Sequence, residues 1–168
     1  MNAKRSSEGV KEPQVRCIGA SDGDLLALLG TVTRIKISSR ETLGTFFVSA
    51  ARLPRNAFVP PHYHPDVEVF FVRKGTLEVM RLSDSQVEFL PIASGEMAII
   101  PSNAVHGFRN PGAGHVDVPL IGGPKIEWFL REAGDGRVGP DSAQPSLEEF
   151  ARMLEIAKRH GQEFLGDR

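Results

Sequence analysis

The sequence predicts an all-β chain, a small antiparallel barrel or sandwich followed by a C-terminal α-helix. Three observations carry that expectation. From Leu25 to about Arg131, short runs rich in Val, Ile, Leu and Phe alternate with Gly, Pro, Asn and Ser, without helical periodicity. Beyond Arg131 the chain turns glycine-rich, and Ser146 with Glu149 three residues later then announces a helix. The length of 168 residues, 40% of them hydrophobic, suits one globular core rather than two.

In chain order, the first polar residues (1–14) are expected to form a flexible tail. Candidate strands follow at Leu25 to Leu29, Thr31 to Ile37, Thr45 to Ala51, Val67 to Val72, Thr76 to Met80, Val87 to Leu90, Met97 to Ile100, His106 to Phe108, Val116 to Ile121 and Ile126 to Leu130. Residues 15–134 are thus assigned to the barrel. The remainder, 135–168, is assigned to a loop and a helix that packs on the barrel or on a partner subunit. Leu147, Phe150, Ala151, Leu154 and Ala157 line one face of that helix, and Gly161 stops it.

Composition narrows the function classes. Twenty basic and twenty-one acidic residues leave a net charge of −1, without the basic excess that phosphate-backbone binding relies on, so no nucleic-acid partner is expected. No apolar run reaches signal-peptide length or the ~20 residues of a membrane span, so a cytoplasmic protein without a membrane partner is expected. Cys17 is the single cysteine, which excludes an intrachain disulfide, and it is read as a small side chain at the edge of the core.

Glu68 attracts attention first. It interrupts the otherwise apolar run Val67-Glu68-Val69-Phe70-Phe71-Val72, and a carboxylate buried in a central strand needs a cation beside it. His62 and His64 are two residues apart, so on a strand they share a face, and Glu68 has the same parity. His106, beyond the turn at Pro101, can return from a neighbouring strand as a fourth ligand. Three imidazoles and one carboxylate suit a divalent Mn, Fe, Co, Ni, Cu or Zn ion better than Mg or Ca. An octahedral ion held by four such ligands keeps two positions open, whereas a tetrahedral ion is closed.

Other candidates take structural readings. His115 lies in a glycine-rich turn and His160 near a helix end. Arg73 and Arg109 are assigned to surface turns, Tyr63 and Asp66 flank the ligands without a substrate role, and Phe46, Phe70, Phe108 and Trp128 fill the barrel.

The spacing resembles the cupin superfamily, whose two motifs read Gly-x5-His-x-His-x3-Glu-x6-Gly and Gly-x5-Pro-x-Gly-x2-His-x3-Asn. Asn56, His62, His64, Glu68 and Gly75 match the first in register, and Gly95, Pro101, Asn103, His106 and Asn110 match the second. Two motif glycines are asparagines here, Asn56 and Asn103. Asparagine tolerates positive φ, so both turns are expected to survive if positive φ is what the glycines supply.

The resemblance implies a double-stranded β-helix (jelly-roll) barrel, one metal held by His62, His64, Glu68 and His106, and a homodimer. The segment Glu127 to Gly134 and the helical tail are also similar to bacterial single-domain cupins of the quercetin-dioxygenase type. The leading expectation is a metal-dependent dioxygenase-like oxidoreductase acting on a small organic substrate, with Glu68 doubling as a base. Two alternatives stay open: an oxygen-independent isomerase, lyase or hydrolase using the same metal, and a non-catalytic small-molecule-binding cupin.

Overall fold

The computed structural model describes residues 14–28, 30–83, 86–134 and 146–165. Nearly all of the expected N-terminal tail, Leu29 at the end of the first expected strand, and the loop over 135–145 lie outside the described residues.

Ten strands build the body: β1 (Asp24–Leu28), β2 (Thr31–Ile37), β3 (Phe47–Leu53), β4 (Phe58–Tyr63), β5 (Glu68–Phe71), β6 (Thr76–Ser83), β7 (Gln86–Ala93), β8 (Met97–Ile100), β9 (His106–Arg109) and β10 (Val116–Gly122). Helices α1 (Pro124–Ala133) and α2 (Leu147–Arg159) follow, and the two-residue strand β11 (Glu163–Phe164) comes last. All pairings are antiparallel, in two sheets ordered β1-β2-β3-β10-β5-β8 and β11-β4-β9-β6-β7. The all-β barrel expected from the sequence is therefore observed.

The core lies between the two sheets. Alternate residues of β2 and β3 turn inward, as a half-buried strand requires, and Phe47, Phe70 and Val118 meet Leu77 and Val79 of the opposite sheet. The run carrying Glu68 is interior, as its composition predicted: β5 pairs with β10 on one side and β8 on the other.

Three sequence expectations need correction. The Ile126 to Leu130 run is not a strand but the middle of α1. Pro124 opens that helix, and Asp66 reaches across the fold to cap it, its Oδ2 accepting from the N–H groups of Lys125 (2.7 Å) and Ile126 (3.1 Å). Ile126 and Phe129 then face the core, while Trp128 is half exposed, as is Phe46; neither fills the barrel. Cys17 is exposed rather than tucked at the core's edge.

Helix α2 carries the expected capping box, Ser146 Oγ accepting from Glu149 N–H while the Glu149 carboxylate accepts from Ser146 N–H. Its buried stripe runs through Met153, Ile156 and Ala157, with Phe150 and Leu154 partly buried; Leu147 and Ala151 point outward instead. Gly161 ends the helix at φ +74°, a conformation that favours glycine, and turns the chain back onto β4. Together α2 and Phe164 pack against Phe129 and Leu28, forming a small second core at one end of the body.

Candidate metal centre

The local backbone places the first two histidines. Pro60 and Pro61 lack N–H donors, and the β4–β9 ladder shifts register between Val59 and His62, after which His62 faces His106 directly across the pair. His64 follows just beyond β4, and Glu68 opens β5. The turn before β9 is set by Asn103 at φ +60°, whose N–H donates to the His64 carbonyl at 2.8 Å. Asn56 also sits at φ +60°, so both asparagines supply the positive φ expected of the motif glycines. Asn110 is buried and its amide ties Leu53, Pro54 and Gly114 carbonyls together.

Nitrogens from His62, His64 and His106 lie within 4.8 Å of one another, and all three side chains are buried. The ring centroids are 4.3 Å apart for His62 and His106, 4.9 Å for His64 and His106, and 5.7 Å for His62 and His64. Each Nδ1 points at a backbone carbonyl: Pro60 for His62 (2.8 Å), Asp66 for His64 (2.9 Å) and Ala104 for His106 (2.9 Å). A carbonyl can only accept, so each Nδ1 carries the hydrogen and each neutral ring keeps its lone pair on Nε2. Such outer contacts orient imidazoles for metal binding.

Glu68 stands against two of the rings, its Oε2 3.5 Å from His64 Nε2 and 3.4 Å from His106 Nε2. Burial raises its pKa, but the two imidazoles outweigh burial and hold it down at about 2. The same carboxylate raises the pKa of His64 against the effect of burial. His62 is pushed down to about 3, first by burial and then by His106 beside it. One negative charge thus faces the rings, and the Nε2 atoms of His64 and His106 are buried without hydrogen-bond partners. Orphaned, inward-facing lone pairs beside an ionised carboxylate are the donor set a divalent transition ion takes, so the residues fit a metal.

The site opens into a cavity of about 90 Å³. His62, His64 and Glu68 line it among mainly apolar side chains. The C-terminal segment supplies two lining residues that sequence reasoning missed. Phe164 on β11 stacks on the His62 ring (4.9 Å between centroids, 19° between planes), and Gln162 is buried just before it. Both contacts are long-range; the nearest signal in the sequence was the helix stop at Gly161, after which the chain had to go somewhere.

The remaining candidates have structural partners. Arg73 pairs with Asp117, Arg109 pairs with Glu78 and lies over Phe89, His115 approaches Asp117, and His160 meets Glu132 at 2.6 Å. Asp66, already engaged by α1, is likewise occupied.

Residues 50–121, which contain all four expected ligands, match the family model described as Cupin domain. That segment is a cupin domain. Among solved cupin-like structures, the polyketide cyclase RemF from Streptomyces resistomycificus is 17% identical, with 66% of this chain covering 80% of that one at a TM-score of 0.57. A predicted oxalate decarboxylase from Thermotoga maritima is 14% identical, with coverage of 64% and 98% and a TM-score of 0.57. KdgF from Halomonas sp. is 16% identical, with coverage of 66% and 94% and a TM-score of 0.53. At these identities the likeness is one of fold. No curated protein resembles this cupin closely enough to count as a match.

Proposed function

We propose that this cupin is a metal-dependent enzyme of dioxygenase type acting on a small organic substrate, with His62, His64, Glu68 and His106 holding one divalent Fe, Mn, Ni, Co, Cu or Zn ion. The observation that carries the reading is the pair of buried, unpartnered Nε2 atoms facing an ionised Glu68 at the end of a cavity. Such an ion supplies Lewis acidity and, where redox-active, access to dioxygen chemistry. The chain's own residues do the rest. The Nδ1 contacts fix the three rings, and the hydrophobic wall excludes water from the reacting groups. Glu68 lines the cavity, and we assign it the second role of taking up a proton from an enol or diol hydroxyl of the substrate.

The test is oxygen uptake by metal-loaded protein with enediols, catechols and diketones. Uptake that depends on metal and falls at least 100-fold in Glu68→Gln supports the reading. Uptake unchanged in His62→Ala contradicts it, and turnover that persists without oxygen assigns the site to an isomerase, lyase or hydrolase.

We further propose a homodimer through the edge of the six-stranded sheet. Strand β8 is an edge of that sheet, and its Met97 and Ile99 are two-thirds exposed, beside the exposed Val67. An apolar edge strand is self-complementary in an antiparallel two-fold pairing. Light scattering should give twice the chain mass, and Ile99→Lys should return it to one; a monomeric wild type contradicts the pairing.

A further inference from the structure

The cavity's chemistry says more about its ligand than the metal site does. Its wall is built largely from hydrocarbon and rings, including Leu53, Phe70, Leu77, Phe108, Phe129 and Phe164. Among the described residues no lysine or arginine lines it, and Glu68 is the one carboxylate that does. A divalent ion beside Glu68 leaves one net positive charge, enough to offset a single ionised oxygen. A second carboxylate or a phosphate would be desolvated against this wall with no counter-charge, which is heavily disfavoured.

Neutral polar groups, by contrast, are provided for. Gln162 is 2% exposed and lines the cavity. Thr31 also lines the cavity and is buried, with its Oγ1 unpartnered. A buried hydroxyl is nearly always satisfied, so Thr31 Oγ1 is held ready for something that enters, and the Gln162 amide lines the same cavity. The amide offers both a donor and an acceptor, which matches a hydroxyl or carbonyl in either role.

We propose that the cavity takes a ring-sized, largely apolar molecule bearing at most one ionised group, and that Gln162 is a specificity residue that hydrogen-bonds its neutral polar substituent. The inference rests on the metal reading for the one anionic group it admits. It excludes small dicarboxylates and sugar phosphates as substrates of this chain. It also gives the C-terminal segment a role in recognition, since Gln162 and Phe164 reach the cavity together from beyond α2.

Isothermal titration of the metal-loaded full chain with benzoate, 4-hydroxybenzoate and terephthalate tests it, because the three share a ring and one carboxylate and differ in the opposite substituent. Affinity should follow 4-hydroxybenzoate, benzoate, terephthalate, with at least a tenfold gap between the first and last. In Gln162→Leu the advantage of 4-hydroxybenzoate over benzoate, about three- to tenfold for one hydrogen bond, should vanish. In Gln162→Arg terephthalate should gain at least tenfold. Terephthalate binding as tightly as 4-hydroxybenzoate, no binding of any of the three, or a hydroxyl advantage that survives Gln162→Leu overturns the inference. Metal content measured on the same sample separates the failures: wrong selectivity in metal-loaded protein contradicts this inference alone, whereas a chain that takes up no metal contradicts the proposed function beneath it.

Discussion

Glu127 shows how a single side chain ties the fold together. It is 1% exposed, accepts from Ser39 N–H at 2.6 Å and from Arg131 Nε at 2.7 Å, and so joins α1 to the turn after β2. Burial raises its pKa, but Ser39 and then Arg131 outweigh burial and lower it from the ordinary 4.5. A depressed folded-state pKa means that the unfolded chain binds the proton more readily. The stabilisation is therefore complete above the ordinary carboxyl range and is lost as pH falls through the folded value. Glu127→Gln should cost about 1–3 kcal/mol at neutral pH, from the loss of charge-assisted hydrogen bonds, and the gap to wild type should close on acidification. Urea titrations at pH 7 and pH 3 check this; an equal gap at both would contradict it.

At the scale of elements, what was legible in the sequence was whatever obeys a local rule. The period-2 runs of β2, β3 and β10 were, as were the capping box of α2 and the clustering of His62, His64, Glu68 and His106 on their motif spacing. Asn56 and Asn103 were legible too, since the demand for positive φ is local. Three elements escaped for identifiable reasons. Strand β4 contains Pro60 and Pro61, which argue against a strand but sit where its ladder shifts register. The Ile126-Glu127-Trp128-Phe129-Leu130 run has strand-like composition, and its helix is decided by Pro124, the Asp66 cap and the Glu127–Arg131 pair one turn apart. Strand β11 is two residues long and exists through its pairing with β4, a contact no local pattern encodes. Phe164 is the consequence that matters, because its ring covers His62. Phe164→Ala should cost about 2 kcal/mol, below the range for a fully buried phenylalanine because this one is partly exposed. Metal content should be unchanged, since the ring touches His62 without supplying a ligand; loss of metal with full stability would contradict that division of roles.

Over the whole molecule, the two sheets serve the site by different means. The six-stranded sheet contributes Glu68, and the five-stranded sheet contributes His62 and His106, so the centre spans the barrel and a bound ion would cross-link its two walls. No helix among the described residues is long and apolar enough to cross a membrane. The proposal that the three imidazoles and Glu68 form one metal site is best checked by elemental analysis of tag-free protein expressed with supplemented metals. Close to one equivalent of a first-row divalent ion per chain is expected, lost in the His62→Ala/His106→Ala double variant. Chelation should also lower the wild-type melting temperature, since an ion at 100 times its Kd stabilises the fold by about 2.7 kcal/mol. Absence of metal from the wild type, or equal metal content in the double variant, would contradict it.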